Sequence, residues 1–119
     1  MFIFRIAKQW LRRFSYAGRG LVYLWRREVS FRWEILAAIL VVGYAWWNNW
    51  DLLAWLLLLL ICFFVLSGEI LNTILERLMD LLEPKFSEAV GRLKDMLAAL
   101  VLLAAGLAVV VGLFLIFNN

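Results

Sequence analysis

Two hydrophobic rhythms run along this chain. Over residues 3–25 apolar side chains recur at steps of three and four (Ile3, Ile6, Ala7, Trp10, Phe14, Ala17, Leu21, Leu24, Trp25), while Arg5, Lys8, Arg12, Arg19 and Arg26 fall on the opposite side. That period predicts an amphipathic helix, and its cations suit a helix lying in a membrane interface against lipid phosphates. The Gly18-Arg19-Gly20 step is expected to interrupt it. If the phase is carried through, Glu28 lands on the apolar stripe, the wrong place for a merely solvated carboxylate.

Beyond the surface segment, residues 1–30, the rhythm gives way to unbroken apolar runs at 35–47, 52–66 and 96–117. A hydrocarbon core about 30 Å thick needs about 20 helical residues. The first two runs therefore draw on their neighbours, giving spans over 31–50 and 51–82, the latter with a cytosolic extension, and a third over 88–117. Pro84, the single proline, is expected to end the second long helix. The expectation is an all-α membrane protein of one domain: three transmembrane helices and an N-terminal amphipathic surface helix.

Composition and charge fix the class and orientation. Of the 119 residues 66% are hydrophobic, more than a soluble domain carries. Eight cations (Arg5, Lys8, Arg12, Arg13, Arg19, Arg26, Arg27, Arg32) precede the first run, and Arg77, Lys85, Arg92 and Lys94 flank the hinge around Glu83. The Asn48–Asp51 turn and the C-terminal tail hold none, so the N-terminus and the second loop are expected on the cytoplasmic side of a multi-pass bacterial inner-membrane protein. No cleavable signal peptide is expected, and no nucleic-acid partner. Trp46, Trp47, Trp50 and Trp55 are expected to form an aromatic anchor at the far interface. The chain has no His and one Cys, Cys62, which excludes disulfides, zinc sites and His-based triads within one chain.

Candidate chemistry begins where the second run turns polar, in EILNTILERLMD at 69–80. Glu69, Asn72, Glu76 and Asp80 share one narrow helical face, near where the helix leaves the hydrocarbon. Lys94 and Asp95 return to that depth on the third helix. Carboxylates (Glu69, Glu76 and Glu28), an amide and a lysine suit an oxygen-ligated divalent cation such as Mg²⁺. Metal and lysine neutralise a triphosphate, and a further carboxylate accepts a proton from an attacking hydroxyl. Interfacial phosphoryl transfer is the chemistry these residues allow, without a Walker-type loop. Blander roles compete: Asp80 as a solvated face, Glu69 as an ion-pair partner of Lys94 or Arg77, Asn72 as an interhelical hydrogen bond, and Ala98, Ala99, Ala104, Ala105, Gly106 and Ala108 as a close-packing surface.

These residues resemble the small prokaryotic integral-membrane lipid kinases, diacylglycerol kinase and undecaprenol kinase. The resemblance rests on EILNTILERLMD, GRLKDM, YAGRGL and EVSFRWE, in the family's order over residues 16 to about 105. It implies a homotrimer with sites built between subunits, ATP as co-substrate and Mg²⁺ as cofactor. It further implies Glu69 as the base, Glu28 and Glu76 as metal ligands, and Lys94 on the triphosphate. Tyr16, Asn72, Asp80 and Asp95 would complete the nucleotide pocket, with Arg32 and Glu34 near the lipid. Ser67-Gly68, Leu97 and the absence of a hinge histidine, where Phe86-Ser87 stand, depart from the family pattern. Diacylglycerol is the favoured acceptor, on GRLKDM and Glu34; YAGRGLVYLWRREVSFR leans toward undecaprenol. A non-catalytic subunit docking a cytosolic partner is the reading from another class. A channel is disfavoured, since no charge lies in the middle of any span.

Overall fold

The computed structural model describes residues 1–82 and 88–119. Glu83, Pro84 and the hinge residues Lys85, Phe86 and Ser87 lie outside the described residues. The chain is all-α: α1 (Phe2–Arg27), α2 (Val29–Trp47), α3 (Leu52–Leu82) and α4 (Glu88–Asn118). Helices α2, α3 and α4 are each long and apolar enough to cross a membrane. Met1–Trp33 and Glu34–Asn119 form two compact units.

In the first unit α1 runs unbroken through Gly18 and Gly20, and neither glycine takes a positive φ. A helical glycine costs about 1 kcal/mol relative to alanine. Local contacts offset that: Arg13 lies 5.1 Å over the Trp10 ring, Arg19 5.8 Å over Tyr16 and Arg27 5.9 Å over Tyr23, exposed cation–π pairs of about 0.5–1 kcal/mol each. The expected interruption is therefore absent. The helix stops instead at Glu28, which takes an extended conformation (φ −112°, ψ 109°) while its N–H still donates to the Leu24 carbonyl at 2.8 Å. The helical phase thus ends before it reaches Glu28.

The second unit is organised from the turn between α2 and α3. Asn49 adopts φ 52°, and the Trp50 N–H donates to the Ala45 carbonyl while the Asn49 N–H donates to that of Trp46, at 3.2 and 3.3 Å. This is a Schellman closure with asparagine at the left-handed position, and the apolar contact that accompanies such closures is present. Trp50 and the fully buried Ala45 join Ala54, Leu58 and Leu115 in one core cluster. Asp51 then starts α3, its Oδ1 accepting from the Ala54 N–H at 3.0 Å, the ordinary N-cap arrangement. Of the four tryptophans expected at this interface, Trp46 and Trp47 are exposed, but Trp50 turns inward and Trp55 packs against the cluster. The turn geometry, which drives Trp50 back onto Ala45, is the reason. From here α3 and α4 run together as the principal helix pair.

Candidate functional site

At about 1.5 Å per residue, the 31 residues of α3 reach roughly 46 Å, longer than a hydrocarbon core of about 30 Å. Its last turns therefore leave the apolar layer while still helical. Glu69, Asn72, Glu76 and Asp80 line one stripe of that extension, the first three half-buried and Asp80 exposed.

Two contacts hold the site in the second unit. Lys94 Nζ donates to Asp80 Oδ1 at 2.7 Å, joining α4 to α3, and the charge of Glu76 also acts on Lys94. With the two side chains 39% and 55% exposed, water screens the pair and it adds little stability. Lys94 is therefore available to a more highly charged anion. Deeper, the carboxyl groups of Glu34 on α2 and Glu69 on α3 lie close enough to act on each other. Two neighbouring carboxyl groups are the side chains best suited to accept a proton in a chain without histidine.

Unmet polar atoms cluster with these residues. Glu34 Oε2 and Asn72 Oδ1 are buried without a partner. Native structures leave few such atoms, because each forfeits its hydration, and these two are candidates for contact with a ligand. In the first unit, Arg32 Nε is likewise buried without an acceptor. Glu28 caps α1, and the exposed Tyr16 lies beneath Arg19. Asp95 is exposed beside Lys94. Among the described residues no three acidic or thiol groups gather into a closed metal cage.

The stripe itself was readable from periodicity, but its partners were not. Lys94 takes Asp80 rather than Glu69, and Glu69 takes Glu34, a residue singled out only by resemblance. Helices joined by a tight turn stay level with each other at equal distances from it, and Glu34 and Glu69 lie 14 and 18 residues from Asn48–Asp51, about one helical turn from level; that was the available signal.

The family model for prokaryotic diacylglycerol kinase matches residues 15–116. Diacylglycerol kinase of Escherichia coli (strain K12) is 34% identical over 105 residues, covering 88% of this chain and 86% of that protein. Diacylglycerol kinase of Helicobacter pylori (strain ATCC 700392 / 26695) is 29% identical over 92 residues, covering 77% and 72%. Undecaprenol kinase of Bacillus subtilis (strain 168) is 27% identical over 107 residues, covering 90% and 87%.

Proposed function

Because this chain belongs to the prokaryotic diacylglycerol kinase family, we propose that it transfers the γ-phosphoryl group of Mg·ATP to the hydroxyl of diacylglycerol at the cytoplasmic membrane surface, giving phosphatidic acid. The observation that carries this reading is the Glu34–Glu69 acid pair at the level where the apolar face of α3 becomes polar. A lipid hydroxyl and a cytosolic nucleotide meet at that level.

The hydroxyl oxygen forms a bond to the γ-phosphorus as the bond from that phosphorus to the β–γ bridging oxygen breaks, and ADP departs with the bridging electrons. The hydroxyl proton passes to the Glu69 carboxylate, with Glu34 beside it to share the proton. Lys94 exchanges Asp80 for the triphosphate, and Asn72, Asp80, Asp95 and Tyr16 border the nucleotide. Arg32 uses its free Nε on an oxygen of the acceptor lipid. Mg²⁺ binds characteristically through one or two carboxylates and substrate phosphates rather than an all-protein cage; Glu28 and Glu76 would hold it, and the unpartnered Asn72 Oδ1 on the stripe of Glu76 fits a cation-bearing ligand there. When bound, the ion neutralises charge on the transferring phosphoryl group.

The functional unit in this reading is a homotrimer in the bacterial inner membrane with its N-terminus cytoplasmic. The cation bias around 1–34 and 77–94 supports that orientation, and a bundle of three crossings that leaves the acid pair half-buried supports a covering neighbour.

Transfer of labelled phosphate from Mg·ATP to diacylglycerol and to undecaprenol, side by side in mixed micelles with Glu69→Gln as the blank, tests the reading. Faster transfer to diacylglycerol that vanishes in the variant is the expected outcome. Faster transfer to undecaprenol selects the second reading, which the Bacillus subtilis relative favours. No transfer and no Mg²⁺-dependent ATP binding returns the chain to a docking subunit.

A further inference from the structure

The cations of α1 repeat as regularly as its apolar side chains. Arg5, Arg12, Arg19 and Arg26 stand seven residues apart, about 10 Å per step, on one slowly drifting stripe. With Phe14 as the centre of the apolar arc, Ile3, Ile6, Trp10, Leu11 and Leu21 lie within about 80° of it and the arginine stripe lies about 120° to 180° away. An arc that wide is broader than the two-position seam of a coiled coil and suits a bilayer surface. A helix seated on lipid by that arc carries Arg13 just beyond its edge, where a cation meets lipid phosphates, and turns Arg5, Arg12 and Arg19 toward water. All four arginines of the stripe are exposed.

A merely solvated face does not account for them. Residues 1–27 contain seven Lys or Arg and no acid. The like charges of Arg5 and Lys8, and of Lys8 and Arg12, three and four residues apart, weaken a helix. Arg5 also stands in the first turn, where the helix dipole disfavours a cation, whereas Arg26 and Arg27 in the last turn complement that dipole. Arg5 and Arg12 have no such role, and both precede residues 15–116, the stretch that matches the family.

The stripe leads toward Tyr16 and Glu28, the two residues of the first unit that the kinase reading gives to nucleotide and metal. Arg12 and Arg19 stand about one turn to either side of Tyr16, the Arg19 guanidinium 5.8 Å over its ring, and Arg26 lies two residues before Glu28. We propose that Arg5 and Arg12 prolong this stripe into an electrostatic collector, which draws Mg·ATP from the cytosol to the membrane surface and acts on its arrival rather than on the bound complex. The assignment rests on the kinase reading and its cytoplasmic N-terminus, and adds how an anionic co-substrate reaches an anionic surface. The negative potential of a cytoplasmic leaflet thins a dianion such as Mg·ATP about tenfold at its surface. Each turnover deepens that potential by converting a neutral lipid alcohol into an anionic phosphomonoester. A row of cations facing away from the headgroups opposes the depletion, and steering of this kind raises the rate of encounter. An anchor for headgroups needs its cations at the edge of the apolar arc, as Arg13 is, and not opposite it.

The test uses the full chain in phosphatidylcholine nanodiscs, whose lipid carries no net charge, and stopped-flow association of ATP bearing a fluorophore on its ribose, with Mg²⁺ present. Arg5 lies about 16 Å along the helix from Tyr16, within the reach of a charge at about 10 mM salt, which is about 30 Å. There the double variant Arg5→Gln, Arg12→Gln is expected to lower the association rate about three- to tenfold. Its dissociation rate, and kcat with diacylglycerol at saturating Mg·ATP, are expected to match the wild type. At about 0.5 M salt the difference in association rate is expected to vanish. The double variant Arg5→Lys, Arg12→Lys keeps the charge and should keep the wild-type rate throughout. Equal association rates for the wild type and the glutamine variant at low salt overturn the collector, and are the result that a docking surface for an acidic protein would give. A loss that persists at high salt, faster dissociation, or a loss in the lysine variant overturns it as well, since each reports a direct contact instead of a field. All four leave the kinase reading standing, whereas absence of Mg·ATP binding by the wild-type protein overturns both.

Discussion

The two ends of α3 are built on opposite principles. At the Asn48–Asp51 end the exposed backbone groups are met by the chain itself through the Schellman closure and the Asp51 cap, and Ala45 is sealed completely. At the other end, Glu34 and Asn72 hold buried oxygens with no partner, and the Asp80–Lys94 ion pair stands half in water. The Trp50 Nε1, also unpartnered, is the one departure at the closed end. One end uses its polar groups in the fold, whereas the other leaves two buried oxygens without a partner.

Substitutions that touch only one end put that contrast at risk. Glu69→Gln is expected to lower kcat by at least 10³-fold, since a positioned base contributes about 10²–10⁴-fold, while ATP binding by equilibrium dialysis stays within a few-fold; parallel loss of binding would mean that Glu69 holds the site together. Lys94→Met should raise KM for Mg·ATP by about 10- to 100-fold with thermal unfolding in micelles little changed, because the exposed ion pair is not a structural device. At the closed end the readouts reverse. Ala45→Leu overfills a fully buried position and should cost about 1–3 kcal/mol of stability, seen as a lower unfolding midpoint, with kcat per folded molecule retained. Asp51→Ala should remove about 1 kcal/mol through loss of the N-cap, the smallest shift of the four, again without changing KM for either substrate.

What was legible in the sequence follows the same division. Periodicity alone exposed the amphipathic α1 and the Glu69–Asp80 stripe, because both are properties of one helix, and the long apolar runs marked the spans. Trp50 was misplaced because its direction is set by the left-handed Asn49, a backbone choice that hydropathy does not register. The helix-breaking role expected of Gly18 and Gly20 failed because aromatic–arginine pairs on either side keep the helical state cheaper than a break. Glu28 escaped the phase calculation since α1 ends one residue earlier. The Glu34–Glu69 juxtaposition depends on the register between two helices, which no window along a single helix can report.

The closed turn also bears on how the protein reaches its place. Its tip carries one charged residue, Asp51, and no Lys or Arg, and the backbone groups around it already have partners. A helical hairpin with so little at its tip to dehydrate can be threaded through the hydrocarbon as one piece, α2 and α3 together. An arginine substituted at Asn48 would add about 2.5–3.5 kcal/mol to that passage at the bilayer centre, so biogenesis rather than catalysis is where such a change would be felt.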